Sequence, residues 1–353
     1  MSLKITLGAN KSKEIGLFAR NQLIYQENNC TIESDQNIAK YTFGKSKLFI
    51  YGKIVGIKVS DKELVTFSNG FKDNFSKLLK SSSLSEIIKK IEGRFIYVLI
   101  DDDKVNIGTD SLGEIDLYYQ DYNNQVIIAT DLGMLPFVNN KNIKYDQVGV
   151  AHSLYIYGYR PAKKHTLYEN IKRLGVHEKI EWKNEKFNLL KNKNTLHNAT
   201  EFDFKEHHDT YSNLFLDAIE KRSSPKGNIV YLSSGWDSTS ILAALVHMYG
   251  AKKTRAVIGR MHFSKEAGVC NPYEITRAQK IADYFGVKLE IVEFDYYKRG
   301  PELTEKYSDF MKNHMLTSMS LYQWLDLAEY VAATSNGEAV FSGEISDGVH
   351  NFG

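Results

Sequence analysis

Cysteine is nearly missing from this 353-residue chain, which has only Cys30 and Cys270. They lie far apart, and neither belongs to a CxxC or Cys/His cluster. That excludes a disulfide framework and a cysteine-based zinc site, and two reduced thiols fit a cytoplasmic protein. Long apolar runs are missing too. No stretch approaches the roughly 18 residues a membrane helix needs, and the opening Met1-Ser2-Leu3-Lys4 has no secretory h-region. The expectation is a cytoplasmic protein with no membrane partner. Charge of one sign is also lacking: the net charge is +2, which gives no electrostatic case for nucleic acid, and no run of like charges forms a tail. What remains is a globular composition, 42% hydrophobic and 25% charged, long enough for about two domains of roughly 100–200 residues each.

The first half reads as short strands with a few helices. Strand-like segments fall at Ile15–Arg20, Gln22–Gln26, Lys47–Tyr51, Arg94–Ile100, Val105–Thr109 and Gln125–Thr130, with a hairpin tip at Asp101-Asp102-Asp103. Helical patterns cover Phe71–Lys80, Leu84–Ile91 and Gln147–Tyr157. This is an α+β pattern rich in antiparallel strands. The polar stretch Phe187–Asp203 reads as a linker, placed at 196–204 between a domain at 1–195 and a second at 205–353. Helices and strands then alternate. Helices are expected at His207–Arg222 (Leu214, Phe215, Ala218 and Ile219 on one side), Ser238–Tyr249, Glu274–Phe285 closed by Gly286, and Leu316–Thr334. Strands are expected at Asn228–Leu232, Thr254–Ile258, Val287–Phe294 and Glu338–Phe341. Such alternation implies a parallel sheet with helices on its faces.

The most informative segment is Ile229–Ser240, where a strand runs through Leu232-Ser233-Ser234-Gly235-Trp236-Asp237-Ser238 into a helix. Strand, serine- and glycine-rich turn and helix aim backbone N–H groups and hydroxyls at one point, with the helix dipole behind them, and such a point binds phosphate. It sits at the carboxyl end of a parallel strand, where open α/β sheets bind ligands. Asp237 then makes sense as a Mg2+ ligand, because a carboxylate against phosphate needs a cation between them. The competing reading is a serine-rich βα turn that caps its helix. No Gly-Lys-Ser/Thr follows, which excludes a Walker loop, and no G-x-S-x-G marks a nucleophile elbow.

Ser233–Ser238 resembles the SGGxDS pyrophosphate loop of the N-type ATP pyrophosphatases, which asparagine synthetases carry. Phe341-Ser342-Gly343-Glu344-Ile345-Ser346-Asp347 is similar to that family's SGEGxDE segment, and Tyr273–Glu293 to the helix and strand between the two. Tyr157-Gly158-Tyr159-Arg160-Pro161 with Leu167–Leu174 resembles the entry to its synthetase half. Gly108–Tyr119 with Ile128-Ala129-Thr130-Asp131 resembles the end of its glutaminase half. The resemblance implies an Ntn-like αββα sandwich followed by an α/β parallel-sheet domain, Rossmann-like and of the adenine nucleotide alpha-hydrolase kind. It implies an AMP-forming carbon–nitrogen ligase using ATP and Mg2+, with asparagine biosynthesis as the family-level label. A small-molecule or peptide carboxylate would be adenylated, and an amine or ammonia would displace AMP. Leu232, Ser233, Ser234, Gly235, Asp237, Ser238, Ile258, Ser342 and Gly343 would hold the nucleotide, Asp237 and Asp347 the Mg2+, and Glu344 would sit at the reacting centre. A homodimer is the assembly the resemblance allows.

The chain departs from that family at four places. Class II glutamine amidotransferases expose a cysteine at position one; here Ser2 follows Met1, and Tyr51-Gly52-Lys53-Ile54-Val55-Gly56 stands where an Asn-Gly oxyanion segment is expected. The first domain is therefore expected to keep its fold without glutaminase activity, as in β-lactam synthetases and lasso-peptide cyclases. Ser234 replaces a glycine, at a cost on the order of 1 kcal/mol if the position needs φ > 0. Gly348 replaces a second acidic residue. The chain stops at Gly353, where full asparagine synthetases continue into a helical region with a catalytic lysine. These departures keep open a non-catalytic nucleotide- or partner-binding module. A tRNA-thiolating pyrophosphatase is disfavoured by the balanced charge and the absence of paired cysteines.

Overall fold

A computed structural model describes residues 2–8, 21–27, 29–60, 63–66, 75, 77–78, 82–102, 104–122, 124–136, 144–156, 158, 160–162, 164–191 and 204–344. The chain divides into two compact units, Met1–His197 with Asp309–Ser318, and Asn198–Ser308 with Met319–Gly353.

In the first unit the strands are β1 (Leu3–Gly8), β2 (Gln22–Glu27), β3 (Cys30–Ser34), β4 (Ala39–Phe43), β5 (Ser46–Ser60) and β6 (Glu63–Thr66). After helix α1 (Leu84–Ile88) come β7 (Ile91–Asp101), β8 (Lys104–Thr109), β9 (Tyr118–Tyr122) and β10 (Gln125–Ala129). Helix α2 (Gln147–Ala151) precedes β11 (Lys172–Arg173), β12 (Glu178–Lys183) and β13 (Lys186–Lys191). They form two antiparallel sheets, in the orders β11-β9-β10-β1-β3-β2 and β13-β12-β8-β7-β5-β4. Period-2 alternation decides which side chains meet. Leu3, Ile5, Phe49, Ile96, Val98, Val126 and Ile128 share the core between the sheets. Their neighbours Leu48, Ile50, Phe95 and Leu99 point the other way, onto Ile87 and Ile88 of α1. Ile127 and Ala129 pack outward onto Leu132, Leu135 and Ile171. Both faces of each sheet are thus covered.

The second unit holds α3 (Phe204–Arg222), β14 (Asn228–Tyr231), α4 (Trp236–Tyr249), β15 (Thr254–His262), α5 (Pro272–Phe285), β16 (Lys288–Asp295), α7 (Tyr322–Thr334), β17 (Ala339–Ser342) and the part of α6 (Tyr296–Asn313) before Asp309. The strands make one parallel sheet, β16-β15-β14-β17. Val230, Ala256 and Ile258 pack with Leu242 and Leu245 of α4 and Ala278 and Ala282 of α5. Ile229 and Val257, one residue out of phase, face Leu327 and Val331 of α7. The end of the sheet away from the Ser233–Ser238 loop is tied by Arg255, whose guanidinium donates to Glu290 at 2.7 Å and to Glu338 at 3.2 Å. No helix among the described residues is long and apolar enough to cross a membrane.

Most sequence-derived elements stand, with corrections at their ends. Ser83 and Glu86 form a reciprocal capping box that starts α1, yet the helix stops at Ile88, because Ile91 already begins a core strand. Phe187–Lys191, read as linker, is a strand that pairs with β12; the turn between them places Asn184 and Glu185 both at positive φ, as tight hairpins require. Helix α6 escaped notice because Gly300 and Pro301 break its pattern. The helix expected over Leu316–Thr334 begins only after a short 3-10 turn at Met319–Leu321. Leu214 is 57% exposed, while Phe215 and Ile219 carry the buried stripe of α3. Gly286 closes α5 in the left-handed conformation, as expected. Ile15–Arg20, most of Phe71–Lys80 and the linker at 196–203 lie outside the described residues.

Ile128 is fully buried between the sheets. Ile128→Ala lowers the stability of the first unit by about 2–5 kcal/mol in urea unfolding, and Lys53→Ala, at an exposed position, changes it by less than about 0.5 kcal/mol. Equal effects of the two would contradict this packing.

Candidate functional site

The carboxyl ends of β14, β15 and β17 meet the first turn of α4 at a cleft of about 330 Å3, a size suited to a small ligand. β14 ends at Tyr231, paired with Ser342 at the end of β17. Leu232, buried, still donates its N–H to the Val257 carbonyl at 3.0 Å. From there the loop is laced by hydroxyls. The Oγ atoms of Ser233 and Ser238 lie 2.9 Å apart, Ser238 Oγ accepts the Ser233 N–H at 3.1 Å, and Ser233 Oγ accepts the Gly235 N–H at 3.2 Å. Gly235 is the N-cap and has no side chain with which to cap. The first-turn N–H groups of α4 therefore keep their affinity for an anion.

Gly343 explains how two distant motifs form one site. A Cβ there would lie 2.8 Å from Ser238 N and 3.0 Å from Asp237 Cβ, so only a glycine admits the strand end this close. Gly259 does the same on β15, where a Cβ would lie 2.2 Å from the ring of Phe294. Ser234 is not among the described non-glycine residues at positive φ. The strain considered for a serine at that position does not arise.

Leu232, Ser233, Gly235, Asp237, Ser238, Ile258, Ser342, Gly343 and Glu344 all line this cleft. Ser234 does not; its carbonyl turns to α5 and accepts from Arg277 Nη2 at 3.4 Å. Asp347 and Gly348 lie outside the described residues. Sequence reading missed the opposite wall, made by Phe294, Trp324 and Leu327, and also missed Asn271 and Glu274. Asn271 Nδ2 donates to the Gly259 carbonyl at 2.8 Å and to Glu274 at 3.3 Å, and its Oδ1 accepts from Met261 N. An Asn before Pro272, with Glu three positions on, is a helix-start signal that could have found the pair. Arg260, expected past the second strand, lies within β15 and pairs with Glu293. Neither Tyr296, Tyr297, Met315 nor Met319 lines the cleft, and Met315 is core in the first unit.

The charged lining residues are Asp237, Glu274 and Glu344, all acidic. Among the described residues no group of three or more His, Cys, Asp or Glu is gathered for a metal. Mg2+ held mainly by phosphate oxygens and water needs only one or two carboxylates, and Asp237, in the first turn of α4, fits that demand.

In the first unit, Ser2 is held by its N–H on Asp35 at 2.7 Å and its Oγ on Asn21 at 2.8 Å. Cys30 is buried in the sheet core, and burial pushes its thiol up to about 12. Tyr51–Gly56 lies in β5, where Tyr51, Gly52, Lys53 and Ile54 pair with β7 residue by residue.

The Gly343 contact is directly checkable. Gly343→Ala forces the β17 end off α4, costs about 1–3 kcal/mol of stability and weakens anion binding at the loop. Gly235→Ala, where φ is −83° and the new Cβ would meet only Ser233 Oγ, costs less than about 1 kcal/mol by the same urea titration. A harmless Gly343→Ala would contradict the proximity.

Residues 78–193 match the family model described as a glutamine amidotransferase domain. No protein of curated function matches the chain. Similar solved structures include the glutamine phosphoribosylpyrophosphate amidotransferase of Bacillus subtilis complexed with ADP and GMP, at 10% identity and TM-score 0.32, over 82% of this chain and 65% of that one. The NH3-dependent NAD synthetase of Campylobacter jejuni gives 14% and 0.28 over 43% and 62%. The glutamine-dependent NAD+ synthetase of Acinetobacter baumannii, in complex with ADP, gives 16% and 0.30 over 60% and 39%. The chain thus spans less than two thirds of each of these proteins, and likenesses at these scores decide neither fold nor activity. A glutamine amidotransferase domain match over 78–193 is what the comparisons establish.

Proposed function

We propose that this chain is an ATP-dependent amide synthetase of the asparagine synthetase type, working without glutamine hydrolysis. The observation that carries the reading is the convergence of the Ser233–Ser238 loop with Ser342, Gly343 and Glu344 at one cleft on the carboxyl edge of a parallel sheet. ATP would lay its phosphates on the loop, with Leu232, Ile258 and Gly343 beside the nucleoside. Asp237 would hold Mg2+, with Asp347 as the second ligand the sequence suggests. The bound cation supplies neutralisation of the phosphates in a cleft whose own charges are acidic. A carboxylate oxygen attacks the α-phosphorus, and the bond from that phosphorus to the pyrophosphate oxygen breaks. The first-turn N–H groups of α4 stabilise the departing charge. An amine nitrogen then attacks the acyl carbon, AMP leaves with the bonding electrons, and the amine loses a proton; Glu344, lining the cleft, is the group placed for that centre.

The first unit supports the loss of glutaminase. A thiolate is the nucleophile for a glutamine amide. The one cysteine of that unit, Cys30, is buried with its thiol held protonated, and Ser2 is engaged through both its N–H and its hydroxyl. Free ammonia, or an amine on the substrate itself as in β-lactam synthetases and lasso-peptide cyclases, is then the nitrogen donor. A second reading, a nucleotide-binding module without turnover, is favoured by one observation: no lysine or arginine is among the described lining residues of the cleft.

Pyrophosphate release from ATP–Mg2+ separates the two. With aspartate and ammonium present, release depends on the carboxylate and is lost in Asp237→Ala by at least about a hundredfold, the upper end of what losing even a group behind the metal ligands costs. Binding of ATP–Mg2+ without release would mean that the chain needs another carboxylate or is the module, and absence of binding would sink both. Glutamine incubated with the chain yields no ammonia above the rate without protein; a clear excess would restore the glutaminase.

A further inference from the structure

The Ser233–Ser238 loop contains a peptide that is hydrogen-bonded on both sides. A trans peptide is planar, with its C=O and N–H pointing in opposite directions. Between Ser234 and Gly235 the carbonyl points to α5, where it accepts from Arg277. The N–H of the same peptide points to Ser233 Oγ, on the side where Ser233 and Gly235 line the cleft. Turning this peptide over changes ψ of Ser234 and φ of Gly235. Gly235 now has φ −83°, and a glycine reaches positive φ with little steric cost. The flip breaks both hydrogen bonds of this peptide. Its result would be a carbonyl oxygen, with its partial negative charge, where the Gly235 N–H now points, on the side where an anion would lie under the nucleotide reading.

Resting on the nucleotide reading above, we propose that Arg277 is the positioning residue of the phosphate loop: by holding the Ser234 carbonyl against α5, it keeps the Ser234–Gly235 peptide in its anion-binding orientation. The residue acts from outside the cleft, since neither Arg277 nor Ser234 lines it. Its place is set by α5, which begins at Pro272 and carries Glu274 on the cleft wall one turn earlier. Positions three apart share a helix face, so one face of α5 supplies both a wall residue and the strap. A guanidinium suits the task because it stays charged and offers several donors to one oxygen.

The test uses the whole chain, with Mg2+–pyrophosphate and adenosine as separate calorimetric probes and 15N-glycine labelling to follow the Gly235 amide without ligand. Arg277→Ala weakens pyrophosphate about tenfold, the scale of one hydrogen bond made by a charged group, leaves adenosine unchanged, and shifts the Gly235 resonance. Arg277→Lys restores the resonance and most of the affinity. Since Arg277 is exposed, thermal melting stays unchanged in both variants. Unchanged pyrophosphate affinity in Arg277→Ala overturns the strap. So does weakened affinity with an unmoved Gly235 resonance, which would assign the residue a purely electrostatic role. If the unsubstituted chain binds adenosine and pyrophosphate not at all, the nucleotide reading itself falls, and the strap with it.

Discussion

Tyr231 and Ser342 pair as the last residues of adjacent parallel strands, and the chemistry of the second unit depends on how near that pairing brings their continuations. After Tyr231 the chain turns through serines into α4; after Ser342 it passes Gly343, which has no room for a side chain against Asp237 and Ser238. Two segments more than a hundred positions apart thereby share one cleft. Backbone N–H groups come from one, a carboxylate from each, and the apolar wall from α7 on the other face of the sheet. A larger residue at 343 would separate donors from acid, whatever the rest of the fold did.

The balance of charge in that cleft is one-sided. Asp237, Glu274 and Glu344 line it, and its positive character comes from a helix terminus and backbone N–H groups. Fixed dipoles of this kind are weak alone and effective when water is excluded. A polyanionic ligand entering here therefore brings its own cation. The first unit presents the reverse situation. Its polar groups at the start of β1 are tied to one another, its cysteine is sealed in the core, and the segment comparable to an oxyanion loop is spent on sheet pairing.

Much of this was legible in the sequence because the informative signals are local. The alternation of Ile229–Val230 and Ala256–Val257–Ile258 states which faces the strands bury, Gly286 marks a helix end, and Ser83 with Glu86 marks a helix start. The serine-rich turn between strand and helix points to the loop that lines the cleft. What stayed hidden needs the third dimension. Trp324 and Leu327 join Phe294 of β16 in a cleft wall only because α7 packs on the sheet, and their spacing alone says no more than apolar core. Phe187–Lys191 looked like linker because its polar residues face outward from an edge strand, and α6 was masked by a glycine and a proline that its flanking turns tolerate. The penalty foreseen at Ser234 vanished because a backbone angle, not residue identity, decides it.

The tie at Arg255 lies at the opposite end of the sheet from all of this. One guanidinium reaches Glu290 on β16 and Glu338 ahead of β17, and Tyr330 adds a hydrogen bond to Glu290 from α7. Strands at both margins are thus fastened to β15 at a distance from the loop. The ties that fasten the sheet margins and most of the residues that line the cleft therefore lie at opposite ends of the same strands.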